Sequence, residues 1–211
     1  MIGAVLSGGE NRRIPMLKGF LKVGGRTILE RSTAVLSQVF DKVVISTNMP
    51  ERYFAQGFPM IGDIRREKCP MTGILSVLVS TGEEAAFVVA CDMPFISETL
   101  IRFMVKEHRA RGTEQGYDAV IPVFRGKKEP LFGIYTKALV PSIEATFRAG
   151  ERRITEMLAS ACVRYITEDE VRALDPMGDS FVNVNTMEDY EGIAAGFRAL
   201  AAHCERLHDA V

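Results

Sequence analysis

The chain has 211 residues, with 26 Lys and Arg against 27 Asp and Glu and a formal net charge of -1. This length suits one compact domain, which can bury roughly 70% of its unfolded surface without a disulfide or metal staple. The even charge removes any global electrostatic case for nucleic acid or an anionic membrane, and no apolar run nears the roughly 20 residues of a membrane span. Cys69, Cys91, Cys162 and Cys204 form no CxxC pair and read as reduced thiols of a cytoplasmic protein. Ile2 to Ser7 has no basic lead-in and meets glycine at once, so it reads as a buried strand and not a signal peptide. Residues 10–18 are polar, basic and interrupted by Pro15, and form a loop. Thr27 to Phe40 carries a helical apolar stripe with Thr27 placed to cap it. Lys42 to Ser46 is a β-branched strand, Phe58 to Gly62 a short one, and Thr72 to Ser80 a helix. Ala85 to Ala90 is a buried strand; Ser97 then caps a helix that reaches about Arg111. Strands follow at Ala119 to Val123 and Leu131 to Tyr135, then helices near 137–148 and 151–159. Val163 to Ile166 is a last short strand, and a closing helix runs from Met187 to about His208.

Short apolar runs alternating with helices predict an α/β chain: one doubly wound three-layer α/β/α domain with a mostly parallel, Rossmann-like sheet. Such sheets bind ligands at the carboxyl ends of their strands, so residues directly after strands matter most. Gly8-Gly9 follows the first strand and leads into Arg12, Arg13 and Lys18. Glycines let backbone N–H groups approach phosphate oxygens, and the cations neutralise them. Neither GxxxxGK[ST] nor GxGxxG is present, so this is neither a Walker loop nor a dinucleotide fingerprint.

Asp92, in Cys91-Asp92-Met93-Pro94-Phe95, follows the buried 85–90 strand. A carboxylate there can hold Mg²⁺, with waters and substrate phosphates completing the shell. Alone, Asp92 fits a turn or helix cap as well; beside a cationic glycine loop on the same sheet edge, it suits phosphoryl or nucleotidyl transfer. Asn48 and Asp63 also follow strands, where each suits a polar ligand or a turn. Asn183 and Asn185 alternate onto one side of an extended segment, although Asn185 or Thr186 also fits a helix cap. The 125–128 segment reads as an exposed loop. His203 and His208 stand five apart and miss the i, i+4 spacing of a paired metal site. GxSxG is absent, and no Ser-His-Asp arrangement announces itself.

These segments resemble the molybdenum cofactor guanylyltransferases, in the MobA-like nucleotidyltransferase family. Leu6 to Lys18 matches a LAGGxSxRMGxxK loop, with the glycine pair, Arg13 and Lys18 in register. Cys69 to Ile74 matches a GPLxGI segment, CDMPF stands complete at 91–95, PLFGIY at 130–135, and Asn183 to Tyr190 matches an NxNTPEDL ending. Asn11 stands in place of Ser, Pro15 in place of Gly, and Cys69 in place of the first Gly of its segment.

The resemblance implies one nucleotidyltransferase domain over 1–211, with a GTP half at about 1–110 and a pterin half at about 111–211. It implies that Leu6, Gly8 and Gly9 hold the nucleotide through their backbone, and that Arg13 and Lys18 neutralise triphosphate charge. Asn48 and Asp63 would contact the guanosine portion, Gly73 would allow close approach to the nucleotide, and Asp92 would bind Mg²⁺. Asn183, Asn185 and Arg153 would face the pterin. The implied reaction joins GMP from GTP to the terminal phosphate of molybdenum cofactor (molybdopterin), releasing pyrophosphate. Cofactor-biosynthesis proteins and molybdoenzyme chaperones would be its protein partners. Use of CTP, a sugar-phosphate acceptor, or a homologue with impaired catalysis are the alternatives that share the same motifs.

Overall fold

The computed structural model describes residues 1–8, 16–110 and 116–208, those after Phe197 in backbone alone. The chain runs β1 (Ile2–Leu6), β2 (Lys22–Val23), β3 (Arg26–Thr27), α1 (Ile28–Val39), β4 (Val43–Ser46), α2 (Pro50–Tyr53), β5 (Met60–Ile61), α3 (Pro70–Ser80) and β6 (Ala85–Ala90). It continues α4 (Glu98–Ala110), β7 (Ala119–Phe124), β8 (Lys127–Lys128), β9 (Phe132–Thr136), α5 (Val140–Arg148), α6 (Ile154–Leu158), β10 (Val163–Ile166), α7 (Glu168–Arg172) and α8 (Met187–His208).

The main sheet has the order β10-β7-β9-β6-β1-β4-β5, with β8 added on β7. Its pairings are parallel except those of β9 with β6 and β7 and of β8 with β7. The chain between β7 and β9 is too short for a crossover, so β9 must return antiparallel. That return begins at Arg125 (φ 49°) and Gly126 (φ 69°), the two positive φ values of a type I′ hairpin turn. Residues 125–128, expected as a loop, are therefore partly strand.

Alternation along the strands sorts side chains between two cores. Val5, Phe87 and Val89 face Leu29 and Leu36 of α1 and Leu100 and Met104 of α4. Ile2, Ala4 and Val88 face Ile74 and Leu78 of α3 and Ile143 of α5. These are the three layers expected from the alternating pattern. At Gly3 an added Cβ would meet Phe40 Cδ2 at 2.9 Å, so glycine lets α1 lie close on β1. Thr27 caps α1 in a reciprocal box: its hydroxyl accepts from Glu30 N–H at 3.1 Å, and Glu30 accepts from Thr27 N–H at 2.7 Å. Ser97 caps α4 by accepting from Leu100 N–H at 3.2 Å.

A third, smaller cluster joins Leu21, Val23 and Ile28 to Val184, with Phe95, Tyr190 and Phe197 packed around it. It seats the start of α8 on the β2–β3 hairpin. Among the described residues, no helix is long and apolar enough to cross a membrane.

Candidate active site

From β1 the chain leaves through α1 toward β4 on one side. From β6 it leaves through α4 toward β7 on the other. The two strands are neighbours, with Leu6 opposite Ala90, so their following loops part and leave a crevice. Gly8 opens the loop after β1 and is exposed, and an added Cβ there would meet none of the described residues within 4 Å. Its backbone is thus open to a ligand. Gly9 and Arg13, expected at this site, lie outside the described residues, as do Asn11 and Pro15.

Lys18 stands where the described chain resumes after that loop. Its ammonium donates to Asp92 Oδ2 at 2.9 Å and to Asn185 Oδ1 at 2.9 Å. Three segments far apart in sequence therefore converge on one cation. Lys18 and Asp92 side chains are only 19% and 18% exposed, so their attraction is screened less than that of a surface pair. The backbone fixes the arrangement too: Cys91 N–H donates to Leu6 O at 3.0 Å, and Val184 N–H donates to Asp92 O at 2.9 Å.

Asp92 Oδ1 is buried and has no hydrogen-bond partner among the described residues. A buried acceptor left unpaired costs on the order of 1–3 kcal/mol, a cost that a bound ligand at this strand end would offset. Among the described residues no three His, Cys, Asp or Glu gather around a metal position. A divalent ion at Asp92 would thus take its other ligands from phosphate oxygens and water, the usual habit of Mg²⁺.

Asn48 and Asp63 sit at the same sheet edge, after β4 and β5, and grip each other. Asn48 Nδ2 donates to Asp63 Oδ2 at 2.6 Å, and Asp63 N–H donates to Asn48 Oδ1 at 2.8 Å. The two bonds join the loops after β4 and β5, and each side chain retains unused polar capacity. Gly73 is buried, and an added Cβ would lie 3.1 Å from Leu6 Cδ2 and 3.2 Å from Ser46 Oγ. Its missing side chain lets the first turn of α3 press onto the ends of β1 and β4. Asn183 donates to Phe181 O at 2.9 Å. Arg153 is two-thirds exposed and pairs with Glu151 at 3.1 Å and Glu156 at 3.3 Å; it is not part of the Lys18 cluster. The side chains of His203, Cys204 and His208 lie outside those described.

Sequence reading missed the buried support under the crevice. Ser7 Oγ donates to Tyr53 Oη at 2.6 Å, and burial pushes the Tyr53 phenol up to about 12. Burial likewise pushes the Cys91 thiol up to about 11, which disfavours its thiolate. Arg31 was missed as well. Its Nε donates to Pro94 O at 2.9 Å, and its guanidinium lies 5.4 Å from the Phe95 ring centre and 5.3 Å from that of Phe197. It ties α1 to the 91–95 loop and to α8. An i, i+3 or cap pattern does not betray such a residue.

Residues 3–165 match the family model described as the MobA-like NTP transferase domain. The chain belongs to the MobA-like NTP transferase family. It is an enzyme of the nucleotidyltransferase class. A probable molybdenum cofactor guanylyltransferase from Pelotomaculum thermopropionicum is 33% identical over 187 residues, covering 89% of this chain and 88% of that one. A molybdenum cofactor guanylyltransferase from Desulfosudis oleivorans is 33% identical over 198 residues, covering 93% and 96%. Among solved structures, molybdopterin-guanine dinucleotide biosynthesis protein A from Archaeoglobus fulgidus is similar with a TM-score of 0.80 at 27% identity, covering 92% of this chain and 97% of that one. The MobA-like family is the one the five sequence motifs pointed to.

Proposed function

We propose that this MobA-like enzyme transfers GMP from GTP to the terminal phosphate of molybdenum cofactor, giving molybdopterin guanine dinucleotide and pyrophosphate. The observation that carries the reading is the Lys18–Asp92–Asn185 cluster at the parting of β1 and β6, in a chain whose relatives bear that activity's name. The first half of the chain, to about residue 110, would hold GTP: Gly8, Gly9 and the backbone at Leu6 cradle phosphates, and Arg13 and Lys18 neutralise them. Asn48 and Asp63 would meet the guanosine portion. The later half would receive the pterin, with Asn185 and Asn183 nearest the reacting end and Arg153 farther out.

The acceptor phosphate is already ionised at neutral pH and can attack the α-phosphorus without a strong general base. The chain's task is then positioning and charge neutralisation. Lys18 suits the second task, because a compact ammonium can follow negative charge onto the departing pyrophosphate. Asp92 would hold Mg²⁺ through its unpaired Oδ1, and that ion would lower the charge on the phosphate oxygens. The reaction needs only soluble substrates, which fits a cytoplasmic enzyme.

The test is pyrophosphate release with Mg²⁺ and each of GTP, CTP, ATP and UTP, with and without molybdenum cofactor. Release that requires both GTP and the cofactor is expected. Release with CTP in place of GTP, or with a sugar phosphate in place of the cofactor, would overturn the assignment.

A further inference from the structure

The family match ends at residue 165, yet one of the two groups that hold the Lys18 ammonium comes from beyond it. Asn185 lies outside helix and strand, in the short link that leads into α8. No sheet ladder holds it. On one side, Val184 N–H is anchored on Asp92 O at 2.9 Å, and the Val184 side chain is buried in the small third core. On the other side, Asp189 Oδ2 accepts from Asn185 N–H at 2.9 Å and from Thr186 N–H at 2.8 Å. Thr186 Oγ1 returns the favour by accepting from Asp189 N–H at 3.1 Å.

A reciprocal helix cap needs only the Thr186 half of this arrangement. The bond to Asn185 N–H is extra, and it falls on the residue whose side chain reaches Lys18. Tyr190 Oη donates to Lys22 O at 3.0 Å, which keeps the first turn of α8 on the β2–β3 hairpin while Asp189 does this. The N–H groups of Thr186 and Asn185, the Thr186 hydroxyl and, more weakly, the charge of Lys18 hold the Asp189 carboxyl below the ordinary aspartate range.

We propose that Asp189 is a positioning residue for the transfer reaction: it fixes Asn185, and through Asn185 it keeps the Lys18 ammonium beside Asp92. The proposal rests on the reading of this site as one of nucleotidyl transfer. Asp189 does not touch the reacting atoms. It carries the order of the α8 start to Lys18, far earlier in the chain.

Three variants of the full chain separate this role from plain helix capping. Asp189→Ala removes the carboxylate half of the cap and the grip on Asn185, while the backbone N–H at 189 can still reach the Thr186 hydroxyl. Thr186→Ala removes the hydroxyl half of the cap and leaves the grip. Asp189→Asn keeps an oxygen that can accept both N–H groups. The expected result is a loss of about tenfold in kcat for Asp189→Ala, the scale of a lost supporting partner, with little change in the KM for GTP. Thr186→Ala stays within about twofold, and Asp189→Asn recovers most of the loss. The melting temperature falls further in Asp189→Ala, which loses two hydrogen bonds to a carboxylate, than in Thr186→Ala, which loses one to a hydroxyl, so stability alone does not separate the roles. A second readout needs no turnover: acylation of Lys18 by an amine-reactive reagent, followed by peptide mass spectrometry, rises several-fold in Asp189→Ala and stays at the wild-type rate in Thr186→Ala. Equal kcat losses in those two variants, or unchanged Lys18 acylation in Asp189→Ala, would overturn the proposal. A wild-type chain that releases no pyrophosphate would count against the proposed reaction, and the acylation rates would still decide the role of Asp189.

Discussion

The two ends of the central strands treat charge in opposite ways. Where β1 and β6 begin, Glu83 accepts from the Met1 ammonium at 2.9 Å and from Lys42 at 2.9 Å, so both of its oxygens are paired. Where the same strands end, Lys18 pairs with one oxygen of Asp92, and the other is buried with no partner among the described residues. The first arrangement is complete as folded. The second leaves room for a ligand to supply the missing partner. Among the described residues, Asp92 Oδ1 and His108 Nδ1 are the buried side-chain N and O atoms without a hydrogen-bond partner, and Asp92 lies at the carboxyl ends of the strands, where such sheets bind ligands.

Substitutions at the two ends should therefore fail differently. The largest effect is expected at Asp92. Asp92→Asn should lower turnover by about 10³-fold, while the free energy of unfolding shifts by about 1–3 kcal/mol, since the amide oxygen can still accept from Lys18 although the mostly buried pair loses its charge. Steady-state kinetics alongside urea unfolding would check it; a large stability loss with turnover retained would reverse the contrast. Lys18→Met comes next, with about 2–4 kcal/mol of transition-state stabilisation lost, read as a fall in kcat/KM. Gly73→Ala should do the opposite. Its new methyl would press on Leu6 and Ser46 at 3.1 and 3.2 Å, and a cost of about 1–2 kcal/mol should appear in thermal unfolding before it appears in turnover.

The smallest effect is expected at the opposite end. The hydrogen bond from Lys42, then that from the Met1 ammonium, hold the Glu83 carboxyl down at about 2, against an ordinary value of 4.5. Between those values the unfolded chain binds the extra proton, so the Glu83 contribution is present above about pH 4.5 and disappears as pH falls toward about 2. Glu83→Gln should flatten that part of the acid unfolding curve, measured by urea midpoint against pH, and leave turnover at neutral pH unchanged.

Much of the sheet was legible because its strands are buried on both faces and read as unbroken apolar runs. Ala85 to Ala90 is the clearest, and its limits match the observed β6. Caps were legible at Thr27 and Ser97 because the residue types announce the geometry. The β2–β3 hairpin was missed although Gly24-Gly25 is a two-residue turn signal; strands of two residues give no periodicity to detect. The α7 helix was missed despite Thr167 and Glu170, which form a full reciprocal cap, because five residues hold less than two turns. In the site, Lys18, Asp92 and Asn185 were each singled out from strand-end position and motif. Their convergence on one ammonium was not legible, since it depends on how residues 18, 92 and 185 meet in space. Asp189 and Arg31 act through backbone groups of neighbouring loops, and residue type alone does not reveal such partners.

The central proposal is that Asp92 holds a divalent ion through Oδ1, which has no partner among the described residues. The direct measurement is GTP binding by titration calorimetry, with and without Mg²⁺, for the wild-type chain and for Asp92→Asn. The account predicts that Mg²⁺ tightens GTP binding to the wild type by about tenfold or more and leaves Asp92→Asn nearly unaffected. The same Mg²⁺ dependence in both proteins would contradict it.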